Sequence, residues 1–151
     1  MSKVVSKKRI NWDFDWDVSE AVNDMADIVI SEIRSGLETK TDVNGKKFKR
    51  LKLATVKSKK RKGYAQPSTP LIATGRMKAI HLKKEATKTN PRAIISPAGD
   101  RVLIGYYHNQ GEPINNLPQR KWFGISDKAH KRMQRVWKLR LVELLRLRRG
   151  A

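Results

Sequence analysis

The sequence predicts an α+β fold: an antiparallel β-meander packed with a long N-terminal and a long C-terminal helix, plus a long basic extended loop. Three observations carry that expectation. Apolar residues recur at three- and four-residue steps over Val18–Leu37 and again over Met133–Leu145. Between these stripes the period switches to two, with Ile80 and Leu82 alternating with His81 and Lys83. The tract 39–75 is dense in lysine and broken by Gly63, Pro67 and Pro70, so it reads as an extended loop rather than a long element.

Taken in order, residues 1–11 form a basic, aperiodic arm. Trp12, Phe14 and Trp16 then alternate with Asp13, Asp15 and Asp17, either as a short extended segment or as the lead-in to a helix. Asp17-Val18-Ser19-Glu20 has the form of a capping box, with Asp17 accepting from the amide three residues on and Glu20 reaching back. The helix that follows carries Val18, Val22, Met25, Val29, Ile33 and Leu37, widened by Ala21, Ala26 and Ile30, and should stop near Gly36. Its acidic first turns suit the positive end of a helix dipole, and its stripe reads as core.

Asn44-Gly45 marks a turn, and Ala54–Lys62 has the makings of a short basic helix. A structureless tract of this length is uncommon inside a compact domain, so 39–75 is expected to order against something else. Phe48, Leu51, Leu53, Tyr64, Leu71 and Ile72 are its apolar anchors. Strands are expected at Met77–Thr87, Arg92–Ser96 and Arg101–Tyr107, with Pro97–Asp100 as a turn and Gly105 serving a bulge.

The segment Gly105–Ser126 mixes turn residues with Tyr106, Tyr107, Trp122 and Phe123. It reads as a loop that leaves the sheet, folds over the core with its aromatics tucked in, and enters the last helix. Ser126 or Asp127 caps that helix, which covers 126–148. Its apolar side is Met133, Val136, Trp137, Leu141, Leu144 and Leu145, opposite a row of lysines and arginines.

A chain of 151 residues is long enough to form a single domain, 1–151, without covalent staples. It contains no cysteine, which excludes a disulfide framework and thiolate metal sites. Positive charge at the N-terminus is not followed by an apolar run, so no signal peptide is read there. No apolar run approaches the roughly 20 residues of a membrane span.

The formal charge of +20 favours anionic partners: nucleic acid, an acidic protein face or a membrane surface. Half of it comes from ten residues with no acid among them: Lys46, Lys47, Lys49, Arg50, Lys52, Lys57, Lys59, Lys60, Arg61 and Lys62. These are the candidate contacts to DNA or an acidic partner; the bland alternative is charge that serves solubility alone.

Catalytic signatures are sparse. His81, His108 and His130 fall on different expected elements and form no metal-ligand spacing. His108 has the chemistry to titrate near neutral pH, but a packed histidine is the commoner reading. There is no phosphate-cradling glycine motif and no nucleophile elbow. No catalytic residue, cofactor or metal site is assigned, and the chain is not read as an enzyme.

Four phrases in order resemble the phage virion morphogenesis family, the tail-completion or neck proteins of long-tailed bacteriophages. They are Gly45, Phe48, Leu51, Thr55 and Lys57; then Pro70, Leu71, Ile72, Thr74, Gly75 and Met77; then Tyr106, Tyr107, His108, Gln110 and Gly111; then Pro118, Arg120, Trp122, Phe123, Gly124 and Ser126. Departures from the pattern are Asn109, the polar Glu112–Asn116 insert and the very basic tail.

The resemblance implies a non-enzymatic structural role in the virion. The chain would be assembled in the host cytoplasm and form an oligomeric ring at the joint of capsid and tail. Its neighbours would be neck or connector proteins and tail-tube or tail-terminator proteins, with non-specific contact to packaged double-stranded DNA and none to membrane. Tyr107, His108, Arg120, Trp122 and Phe123 would lock the core or the subunit interface. The rival is a free basic nucleic-acid-binding protein of nucleoid or ribosome-associated type, which the charge alone supports.

Overall fold

The computed structural model describes residues 16–149; the basic arm 1–11 and the Trp12–Asp15 part of the aromatic–acidic alternation lie outside the described residues. The chain is α+β. Four helices, α1 (Ser19–Thr39), α2 (Leu53–Arg61), α3 (Arg101–Gln110) and α4 (Asp127–Arg149), accompany an antiparallel hairpin of β1 (Ile80–Lys84) and β2 (Ile94–Pro97). No helix among the described residues is long and apolar enough to cross a membrane.

Helix α1 buries the stripe its periodicity marks: Ala21, Ala26, Val29, Ile30, Ile33 and Leu37. The capping box does not form. The helix starts at Ser19, so Asp17 lies one residue outside the cap and accepts instead from the Ser19 amide at 2.9 Å and its hydroxyl at 2.6 Å. Nor does the helix stop at Gly36. It continues to Thr39 and ends at Lys40, which takes the left-handed conformation (φ 62°) usually given to glycine. Gly36 has another use. The Thr41 amide donates to its carbonyl at 2.8 Å, and a Cβ on Gly36 would come within 3.1 Å of the Thr41 carbonyl oxygen.

The hairpin pairs Ile80 with Pro97, His81 with Ser96 and Leu82 with Ile95, with a bulge before the Lys84–Ile94 pair. Both strands are shorter than expected: Met77 belongs to a single 3-10 turn, Arg76–Lys78, and pairing ends at Lys84. Asn23 ties α1 to the end of β1. Its Oδ1 accepts from the Ala86 amide at 2.7 Å and its Nδ2 donates to the Ala86 carbonyl at 3.2 Å.

The expected third strand, Arg101–Tyr107, is instead helix α3, so the sheet is a two-stranded hairpin and not a meander. After Arg101 the run VLIGYY has no charged residue to mark a face, and periodicity alone does not separate a strand from a helix in such a run. Tertiary contact decides it. Gly105 is not a bulge but a buried position in mid-helix, where Trp122 lies against the backbone and its Nε1 donates to the Gly105 carbonyl at 2.9 Å.

The core gathers Val29, Ile30, Ile33 and Leu37 of α1 with Phe48, Leu71, Met77, Ile80 and Trp122. Helix α4 runs antiparallel to α1. Glu32 receives Arg132 at 2.8 Å and Lys128 at 3.2 Å near one end, and Arg140 approaches Glu20 at 3.5 Å near the other. Ser126 caps α4 as expected, its Oγ accepting from the Ala129 amide at 2.9 Å.

Candidate functional site

The basic tract is held to the body by some of its expected anchors. Phe48, Leu71 and Ile72 are buried, Leu51 and Tyr64 are half-buried, and Leu53 is 79% exposed. A turn closes over Asn44-Gly45, where Asp42 Oδ1 accepts from the amides of Asn44 (2.9 Å) and Lys46 (2.8 Å). Lys52 then leads into α2, which buries no side chain fully and has Lys59, Lys60 and Arg61 in its last turn, where the helix dipole favours cations.

Nine of the ten candidate contact residues, all but Lys59, are exposed. Lys59 is committed inside the chain: its Nζ donates to the Thr69 carbonyl at 2.8 Å and to the Ile72 carbonyl. Desolvation lowers its pKa. Lys59 is therefore a fastener that closes the tract onto α2, a role that sequence spacing gives no way to foresee.

The residues expected to form a lock divide. Trp122 is 3% exposed and meets Phe123 edge-to-face at 5.3 Å between ring centres. The Phe123 amide donates to Asn109 Oδ1 at 3.1 Å, so Asn109, a departure from the family pattern, is part of the lock. Tyr107 is not in the core lock. It faces outward on α3, edge-on to Tyr106 at 5.9 Å.

Arg120 and His108 make the most unusual pair. The Arg120 amide donates to the His108 carbonyl at 2.7 Å, which sets the two residues side by side. Arg120 is 4% exposed, yet no carboxylate among the described residues pairs with it. Its Nη2 reaches the Lys49 carbonyl at a long 3.4 Å, and its Nε has no hydrogen-bond partner among the described residues. The His108 Nδ1 is likewise buried without a partner among the described residues.

Burial, and secondarily the Arg120 charge, lowers the His108 pKa; burial also lowers that of Arg120. A guanidinium nevertheless stays protonated at neutral pH. Burying such a charge without a counter-ion costs several kcal/mol.

A cleft of about 650 Å³ opens over this pair. His108 lines it from the last turn of α3, Arg120 from the loop after that helix, and Lys49, Arg50 and Lys52 from the basic tract. The two sets of residues singled out in the sequence, far apart in the chain, thus meet at one place. Among the described residues no carboxylate lines the cleft. Glu112, in the adjoining Glu112–Leu117 turn, accepts instead from Asn115 Nδ2 at 2.9 Å.

The arrangement offers converging cations and N–H donors. Among the described residues no group of three or more His, Asp or Glu side chains is placed to hold a metal.

A second feature lies on α3. Val102 with Tyr106, and Leu103 with Tyr107, stand one turn apart and form a contiguous uncovered apolar surface. Leu103 is 60% and Tyr106 58% exposed. A cluster of this kind marks an interaction surface more often than a plain solvated face. No family model matches the chain. No curated protein matches it. No solved structure matches it.

Proposed function

We propose that this protein is a non-enzymatic structural subunit of a tailed-phage virion, placed at the joint of capsid and tail. Copies of the chain associate through α3, and the basic tract faces the DNA passage or an acidic neighbour. The uncovered row Val102, Leu103, Tyr106 and Tyr107 carries the reading. A monomer with no assembly role has no use for four large apolar side chains on a short surface helix. Fully covering an exposed side chain of this size is worth about 2 kcal/mol; these four are already about half covered, so covering the rest contributes roughly 1 kcal/mol each toward the cost of association.

The exposed lysines and arginines of the basic tract fit the same role. At a DNA passage they gain from counterion release, which needs no base contacts. The four-phrase resemblance to the virion morphogenesis family supplies the setting. The rival, a free nucleic-acid-binding protein, accounts for the charge but not for the α3 row. Particles assembled without the protein test the reading: separate heads and tails are the expected product, and intact infectious particles would overturn it.

A further inference from the structure

We propose that the cleft between the basic tract and the loop after α3 is a phosphate-binding site, with Arg120 and His108 as its floor and Lys49, Arg50 and Lys52 as its rim. The inference does not depend on the virion reading. It rests on three features of the cleft itself. Its floor holds a guanidinium, 4% exposed, that no carboxylate among the described residues neutralises and whose Nε has no partner among them. Beside it the buried His108 Nδ1 is also without a partner among the described residues. Among the described residues every charged side chain around the opening is a cation, and Lys49, Arg50 and Lys52 come from a segment about 70 residues away in sequence from Arg120.

Such a set of donors is complete only with an anion in place. Groups that fold buries unpaired are expected to find a partner in the bound state. Phosphate fits better than carboxylate. A carboxylate brings two oxygens and one charge, whereas a phosphate brings more acceptor oxygens to match the guanidinium fork, the imidazole and the lysine ammoniums together. The phosphate has two natural sources, a free phosphomonoester or the backbone of a nucleic acid, and the rim is open enough for either. The Nδ1 of His108 donates to the anion when protonated, so a bound phosphate restores the imidazole's proton affinity.

The test is proton NMR of the His108 ring in the full chain, titrated at fixed ionic strength with inorganic phosphate, with a short DNA duplex and with a poly-glutamate peptide. The expected result is a saturable shift of the His108 signals with phosphate, with the duplex, or with both. A shift with phosphate alone identifies a free phosphomonoester as the ligand, and a shift with the duplex alone identifies the nucleic-acid backbone.

Arg120→Gln should weaken binding roughly tenfold to a hundredfold, the range for a lost charge-assisted hydrogen bond. If that variant does not fold, the exposed pair Lys49→Gln with Lys52→Gln keeps the test open and should weaken binding while leaving the fold intact. No shift with either phosphate source overturns the proposal. So does a shift with poly-glutamate alone, or undiminished binding by the Lys49→Gln, Lys52→Gln variant.

Discussion

Gly105 and Trp122 show how one missing side chain sets a local structure. A Cβ on Gly105 would fall 2.5 Å from Trp122 Cζ2, with two further ring atoms at 3.4 Å. The indole is rigid and its Nε1 is held by the Gly105 carbonyl, so it has little freedom to retreat. In an open helix, Gly105→Ala would gain about 1 kcal/mol of helix propensity. Here overpacking opposes that gain by about 1–3 kcal/mol. Net destabilisation is expected, read as a lower denaturant midpoint with unchanged slope, and shortening the indole with Trp122→Leu should make the alanine tolerable.

His108 makes a second residue-scale statement. Its folded-state pKa is depressed, by burial first and by Arg120 second. The unfolded chain therefore binds the proton more readily than the folded one. The neutral imidazole's contribution is complete above the unfolded value of about 6.5 and is lost as pH falls from there toward the lowered folded value. Arg120 deepens the loss, since it repels an imidazolium. Denaturant midpoints measured from pH 8 downward should drop below about pH 6.5. His108→Gln should flatten that drop.

At the scale of elements, the helix ends reveal what is optimised and what is not. Lys40 closes α1 in the left-handed region, at a cost of roughly 1–2 kcal/mol for a residue with a Cβ. Lys40→Gly should therefore raise stability by up to about 1 kcal/mol, visible as a higher melting temperature. The pairing of Phe48's amide with the Lys40 carbonyl at 2.8 Å uses only backbone atoms and is unaffected.

The elements that could be read from the sequence are those whose period is long and unbroken. Val18–Leu37 and Met133–Leu145 repeat over several turns, and Ile80–Lys83 alternates strictly, so α1 and α4 form over those stripes and β1 forms within its expected range, shorter at both ends. Helix α3 could not be read that way. Valine, isoleucine and two tyrosines favour a strand, and the contact that overrides them comes from Trp122, 17 residues later. The same applies to the site. The lysine run was legible as charge, and Arg120 was singled out only by the resemblance, as part of a core or interface lock; its burial without a carboxylate partner among the described residues and the commitment of Lys59 depend on long-range packing that no spacing encodes.

For the whole molecule, charge and apolar surface act in opposite directions. A formal charge of +20 drives copies of the chain apart, while the proposed association through the α3 row would draw them together. Salt separates the two effects. The screening length shortens from about 10 Å at 0.1 M to about 3 Å at 1 M, which weakens repulsion between copies and leaves apolar contact intact. Phosphate contacts respond in the opposite sense, losing affinity as salt rises.

Sedimentation of the purified chain across a salt series therefore tests the assembly claim most directly. The expected result is a mass that rises with salt in the wild-type chain and remains that of one copy when Leu103→Lys and Tyr106→Lys are introduced together with no change in helical content. A wild-type chain that stays a single copy at every salt concentration, or a lysine variant that associates as well as the wild type, would contradict it.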